Sequence, residues 1–216
     1  MTTPADKDIN SKQRIFTIGH STVANTFFLK PLRQYGINCI VDVRSVPFSR
    51  HAPQFNKDEL SKFLRKNGIR YVSMGQEFGA RRDEVALYTE AGYLDFEKTR
   101  KSNRFLHGVE RIEKGINCGF SIALMCTEKL AIDCHRSILV AKSFYDIGYD
   151  ICHIQHDADS CTQQDLELEL VKHYFPNRNA INMFTGPEED SLSFREMVLA
   201  AYRYRNAEIG YQLHKK

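Results

Sequence analysis

The chain has 216 residues, of which 42% are hydrophobic and 26% charged, the balance of an ordinary soluble globular protein with one substantial core. Lysine and arginine number 30 against 27 acidic residues, a net charge of +3. So small an excess gives no reason, without a local basic patch, to expect a polyanion as partner.

The opening MTTPADKDINSKQR has no apolar core of signal-peptide length, and nowhere do the roughly eighteen apolar residues of a membrane span run together. A disordered tail over 1–13 and a reduced, cytoplasmic setting without membrane contact are expected. Cysteines stand at 39, 118, 126, 134, 152 and 161. Cys39, Cys118 and Cys152 lie in or beside apolar runs, where cysteine behaves as a small hydrophobe, so no disulfide framework is expected.

RIFTIG (14–19) reads as a first strand and NTFFLKPLRQYG (25–36) as a helix, with Pro31 an awkward interior residue and Gly36 a C-terminal stop. INCIVDVR (37–44) is a buried second strand. SVPFSRHAPQF follows as a loop with two prolines, then a helix over 56–68 with Leu60, Phe63 and Leu64 on one face, capped by Asn56 with Glu59 three residues on. IRYVSM is a third strand, and GQEFGARRDEV (75–85) a loop, its glycines and charges defeating any apolar period.

Ser102 is placed to cap a helix that runs to about Lys114, with Phe105, Leu106, Val109 and Ile112 inward and Gly115 ending it. FSIALMC (120–126) is the plainest buried strand. Asp133 is read as the N-cap of a helix closed by Gly148. Strand YDICHIQ (149–155) and helix TQQDLELELVKHYF (162–175) complete an alternation that marks α/β architecture. PNRNAINMFTGPEED reads as a linker, and the final helix carries a modest stripe of Leu192, Met197, Ala200 and Tyr204 for docking in cis or against a second copy of the chain.

The expected fold is therefore a three-layer α/β/α domain over 14–175, with a mostly parallel sheet of about five strands and a C-terminal helical extension over 176–216. If the strands are parallel, Gly19, His20 and Ser21 leave the first, Asp42 and Arg44 the second, residues 75–82 the third, and Cys126 to Glu128 the fourth, all on one edge. Several polar exits converging there make a pocket, whereas any one alone is usually satisfied by a local hydrogen bond.

TIGHS (17–21), DVRSVPFSR (42–50), GIRYVSM with the glycine-containing loop behind it (68–79) and CTEKLAIDCHR (126–136) closely resemble the domain-of-unknown-function 488 family, in the family's order and over most of the chain. The Cys-x-Glu with Cys-His-Arg element is the most specific of these. The resemblance implies an α/β domain with these polar residues around one cleft. The family often has a Leu-Gly-Gly-like turn after the third strand, where this chain has Gln76, Glu77, Phe78 and Gly79.

Cys126, Glu128, Cys134, His135 and Arg136 crowd into eleven residues. At a helix start, unpaired N–H groups favour an anion and lower a thiol pKa. Two readings follow. In the enzymatic one, Cys126 or Cys134 is a nucleophile, His20 and His135 move protons, and Asp42 and Glu128 orient them. Ser21, Arg44, Ser49 and Arg136 hold a small, nucleotide-like anion. In the other, the same cleft binds an anion or a nucleic-acid end without turnover, with Arg50, His51, Arg81 and Arg82 near Phe48, Phe55, Tyr71 and Phe78 as stacking surfaces. No cofactor is expected. Thiolates and imidazole suit zinc, and Cys126, Cys134, His135 and His20 are the candidate ligands. A metal is not expected, however, because no close Cys-x-x-Cys pair exists and adjacent residues on a helix, such as Cys134 and His135, point about 100° apart. His153 and His156 offer only a weak metal pair on a solvated loop.

Overall fold

The computed structural model describes residues 13–155, 159–177 and 192–213. Six strands form one sheet in the order β3-β2-β4-β1-β5-β6: β1 (Arg14–Gly19), β2 (Cys39–Asp42), β3 (Arg70–Ser73), β4 (Ile122–Cys126), β5 (Asp150–Ile154) and β6 (Ser160–Thr162). The first five pair in parallel, and only β6 runs antiparallel, on β5. All residues of β2 and β4 are buried. That burial explains the unbroken apolar runs of strands covered on both faces.

The helices are α1 (Asn25–Gln34), α2 (Lys57–Lys66), α3 (Gly75–Phe78), α4 (Phe96–Arg100), α5 (Asn103–Asn117), α6 (Lys142–Asp146), α7 (Gln163–Tyr174) and α8 (Phe194–Ile209). Connections from β1 to β2 to β3 run toward one side of the sheet, and those from β3 through β4 to β5 run back. Right-handed crossovers then require opposite faces for the two sets. Phe28, Leu32, Leu60 and Leu64 of α1 and α2 pack with Phe16, Ile18 and Met125 on one face. Phe78, Phe105, Ile112, Phe144, Leu166 and Ala201, from the later helices, pack with Ile15, Val41 and Leu124 on the other. The three layers anticipated from the alternation are thus present.

Several local expectations are corrected. Gln76 to Phe78 belong to the short helix α3, and α5 runs past Gly115 to Asn117, with the left-handed glycine at Gly119 (φ 87°). Asn56 does not cap α2, because its side chain accepts from the Ser49 amide at 2.7 Å. Ser102 does cap α5, accepting from the Phe105 amide. The inward face of α8 is Val198, Ala201, Tyr202 and Asn206, not the stripe read from the sequence: Leu192 and Tyr204 are exposed. Docking selects that face. The Asn206 amide bonds Leu94 and Phe96 backbone, and the Tyr202 hydroxyl meets Gln163 of α7. His153 lies not on a solvated loop but buried in β5, bonded to Thr17 and Gln163. His156 and most of the linker lie outside the described residues. No helix among the described residues is long and apolar enough to cross a membrane.

Candidate active site

Strand β2 and its sheet neighbour β4 send their chains to opposite faces, and at their carboxyl ends, where open α/β sheets bind ligands, Arg44 and Ser45 face a cleft shared with Cys126 and Glu128. The exits of β1 and β4, on the other side of β4, stand together. The two exits are laced together: the amides of His20 and Ser21 donate to the carbonyls of Cys126 and Thr127 at 2.9 and 2.8 Å. Ser21 holds this turn with φ 48°, the one non-glycine residue in the left-handed region among those described.

Four side chains from the β4 exit and the next helix converge here. Cys126 Sγ stands 3.8 Å from His135 Nδ1, and Cys134 Sγ lies 2.8 Å from Glu128 Oε2. His135 Nε2 lies 3.1 Å from the Val43 carbonyl, a contact that requires the ring proton on Nε2 and turns Nδ1 toward the sulfur. Asp133 does not cap the helix. Its carboxylate faces Arg205 at 3.5 Å, and Cys134 takes the cap position, its Sγ accepting from the Arg136 amide at 3.4 Å. The turn that follows, Arg136–Ala141, is a wide π-helix buried throughout before α6 resumes the regular pitch. Such turns recur at functional sites.

Burial raises the Cys126 thiol, with Cys134 and Glu128 adding to the effect. Burial also opposes ionisation of Cys134, but hydrogen bonding with Cys126 and the charges of Arg136 and His135 outweigh it and bring that thiol well below its ordinary value. For His135 burial favours the neutral ring, yet Cys134 and Glu128 prevail and raise it. Glu128 is raised by burial of its carboxyl and by Cys134, although the residue is open to solvent on its other side. The lowered Cys134 thiol and the raised His135 ring both favour a thiolate–imidazolium pair, the pairing that activates a thiol.

A second constellation stands beside the first. Arg44 Nε and Nη2 grip both oxygens of Asp42 at 2.9 and 2.6 Å, Nη2 also donates to the Phe55 carbonyl, and Nη1 donates to His20 Nε2 at 2.9 Å. The Tyr71 hydroxyl donates to Asp42 at 2.6 Å. His20 Nδ1 in turn bonds the Ser21 carbonyl, and its ring stacks on Phe55 at 4.2 Å. Burial and the Arg44 charge lower His20 to about 4. Its only lone-pair nitrogen already faces Arg44. As arranged, His20 braces the β1 and β2 exits.

The remaining residues divide. Arg136 is buried and donates to the carbonyls of Glu128 (2.6 Å) and Lys129 (3.3 Å), which fixes the β4 exit loop. The Ser49 hydroxyl accepts from the amides of His51 and Ala52, inside its own loop. Arg82 is buried against the carbonyls of Gln76 and Glu77. A cleft of about 220 Å³ borders the cluster, lined by Cys126, Thr127, Glu128 and His135 together with Arg44, Ser45, Arg81 and Tyr211. Cys134 lies behind Glu128.

Sequence reading did not single out Ser45, Thr127 or Tyr211. Ser45 and Thr127 adjoin residues that were singled out. Tyr211 arrives after α8 and leaves no signal in sequence order. Residues 24–142 match the family described as Domain of unknown function DUF488, and the chain belongs to that family. No curated protein and no solved structure matches the chain.

Proposed function

We propose that this DUF488 member is an enzyme that acts on a small anionic, nucleotide-like substrate in the cleft between the exits of β2 and β4. Cys134 is the nucleophile. The observation that carries this reading is the convergence of Cys126, Glu128, Cys134 and His135, with the Cys134 sulfur at a helix start and the His135 ring beside it.

As Cys134 ionises, its proton passes to Glu128, which accepts from it at 2.8 Å and, exposed on the cleft, gates the sulfur, while Cys126 hydrogen-bonds the thiolate. The thiolate attacks the electrophilic centre of the substrate, a sulfur bond to that centre forms, the bond to the leaving group breaks, and His135 supplies the proton the leaving group needs. Arg81 supports the anionic preference: it is exposed on the cleft, lies over the Tyr211 ring at 5.2 Å and pairs with no carboxylate among the described residues. Arg44 adds to it, since four hydrogen bonds leave one of its five N–H groups unused among the described residues.

Alkylation tests the reading. In reduced, chelator-treated protein at pH 7, Cys134 should react with iodoacetamide faster than exposed Cys118, and inorganic phosphate or a nucleotide should slow it. Labelling of both Cys126 and Cys134 more slowly than Cys118 would overturn nucleophilic catalysis. Protection without turnover of any nucleotide-like compound would make the cleft a binding site only.

A further inference from the structure

Cys126 Sγ, Cys134 Sγ, a Glu128 carboxylate oxygen and a His135 ring nitrogen all lie within 4.8 Å of one another. Zinc bonds of roughly 2.0–2.3 Å in a tetrahedron set the donors roughly 3.3–3.8 Å apart. Small side-chain rotations therefore close this set on a single ion. Chain spacing argued against a metal, but here the helix begins at the cluster. Cys134 in the cap position and His135 in the first turn reach the same point from adjacent positions.

Two details of orientation are those a ligand set needs. The His135 Nε2–H is donated to the Val43 carbonyl at 3.1 Å, the outer hydrogen bond that fixes a metal-binding imidazole and leaves Nδ1 for the ion. The Arg136 amide donates to Cys134 Sγ at 3.4 Å, a contact suited to a thiolate. Two sulfurs, an imidazole and one carboxylate favour zinc over magnesium or calcium, which prefer oxygen. With both cysteines ionised, the four ligands and a divalent ion sum to one negative charge, and the buried Arg136 guanidinium lies beside them on the Glu128 and Lys129 carbonyls.

We propose that Cys126, Glu128, Cys134 and His135 form a zinc site, with Glu128 the exchangeable ligand. Cys126 and Cys134 are buried and His135 half-buried, whereas Glu128 is exposed on the cleft. Three firm ligands and one replaceable position are the pattern of reactive rather than purely structural zinc. One consequence rests on the function proposed above: bound zinc makes Cys134 a ligand, so metal occupancy silences the nucleophile.

Cobalt(II) titrated into the reduced, chelator-treated chain tests the site. The expected result is a thiolate-to-cobalt charge-transfer band with intense visible bands of a tetrahedral ion, saturating at a single cobalt per chain and bleached by zinc. Cys126→Ser, Cys134→Ser and His135→Gln should each weaken binding at least about tenfold. Glu128→Gln should weaken it less while shifting the visible bands, and Cys118→Ser should change nothing. Should the serine variants fail to fold, zinc protection of Cys126 and Cys134 from alkylation in the unmodified chain, with Cys118 still labelled, reads the same point. Absence of the charge-transfer band, or full binding by a folded Cys126→Ser/Cys134→Ser chain, overturns the zinc site. The two proposals fail separately. Rapid alkylation without cobalt binding leaves the nucleophile standing, and cobalt binding with slow alkylation of the metal-free chain leaves the zinc site standing.

Discussion

A Cβ atom at Gly19 would fall on the carbonyl oxygen of Glu128, so the end of β1 and the exit of β4 meet backbone to backbone. Gly19→Ala must push the Glu128 loop away from Cys134. Overpacking of this kind costs about 1–3 kcal/mol. Urea unfolding should show a loss of that order, and Cys134 alkylation should change in rate. Unaltered alkylation kinetics in Gly19→Ala would show that the Glu128 loop is not coupled to the thiol.

Asp42 and Arg44 form a buried pair, 0% and 5% exposed, braced by Tyr71 and His20. Asp42→Asn leaves the Arg44 charge without its counter-ion. The expected loss is about 3–5 kcal/mol, larger than for replacement of both residues by apolar ones of similar size. Denaturant curves of the single variant and of Asp42→Leu/Arg44→Met check the order.

His153, between Thr17, Ser137 and Gln163 and under the Arg136 charge, falls from 6.5 to about 3, chiefly through burial. The unfolded chain takes a proton at this ring below about pH 6.5, and the folded chain refuses it until about pH 3. Stability from this group is thus complete above pH 6.5 and lost as pH falls through that window, at up to about 1.4 kcal/mol per unit. His20, lowered to about 4, contributes in the same direction. Melting temperatures measured from pH 7.5 to about pH 4.5 should fall less steeply for His153→Gln than for the unaltered chain.

The Asn206 side chain accepts from the Phe96 amide at 2.9 Å and donates to the Leu94 carbonyl at 2.8 Å. Asn206→Ala strips partners from two buried backbone groups, at about 1–3 kcal/mol for each group left unsatisfied. Since α8 docks through this residue, hydrogen exchange should quicken at Phe96 and along α8 before it does in β1 or β4.

The strands and most helices were legible because burial on both faces leaves apolar runs, and burial on one face leaves a helical period. The convergence at one sheet edge was legible too, since parallel strands fix which chain ends share it. What escaped was set by tertiary contact. Asn56 is a good capping residue drawn off by the Ser49 amide, and Asp133 is another, drawn off by Arg205. The π-turn after His135 has no periodic signature of its own. Arg44 and Arg136 look alike as anion holders in sequence, and only the structure shows how many of their donors go to Asp42, His20 and loop carbonyls. Spacing likewise argued against joining Cys126, Cys134 and His135 and gave no sign of Glu128 beside them, because the cluster depends on a helix that starts at the β4 exit.

The two edges of the sheet constrain how the chain can meet a copy of itself. At one side stands β3, four residues long with Arg70 and Ser73 exposed, and at the other β6, three residues long and reversed in direction. Short, polar margins offer little template for an incoming strand. Association that continues the sheet from one molecule into the next is therefore disfavoured.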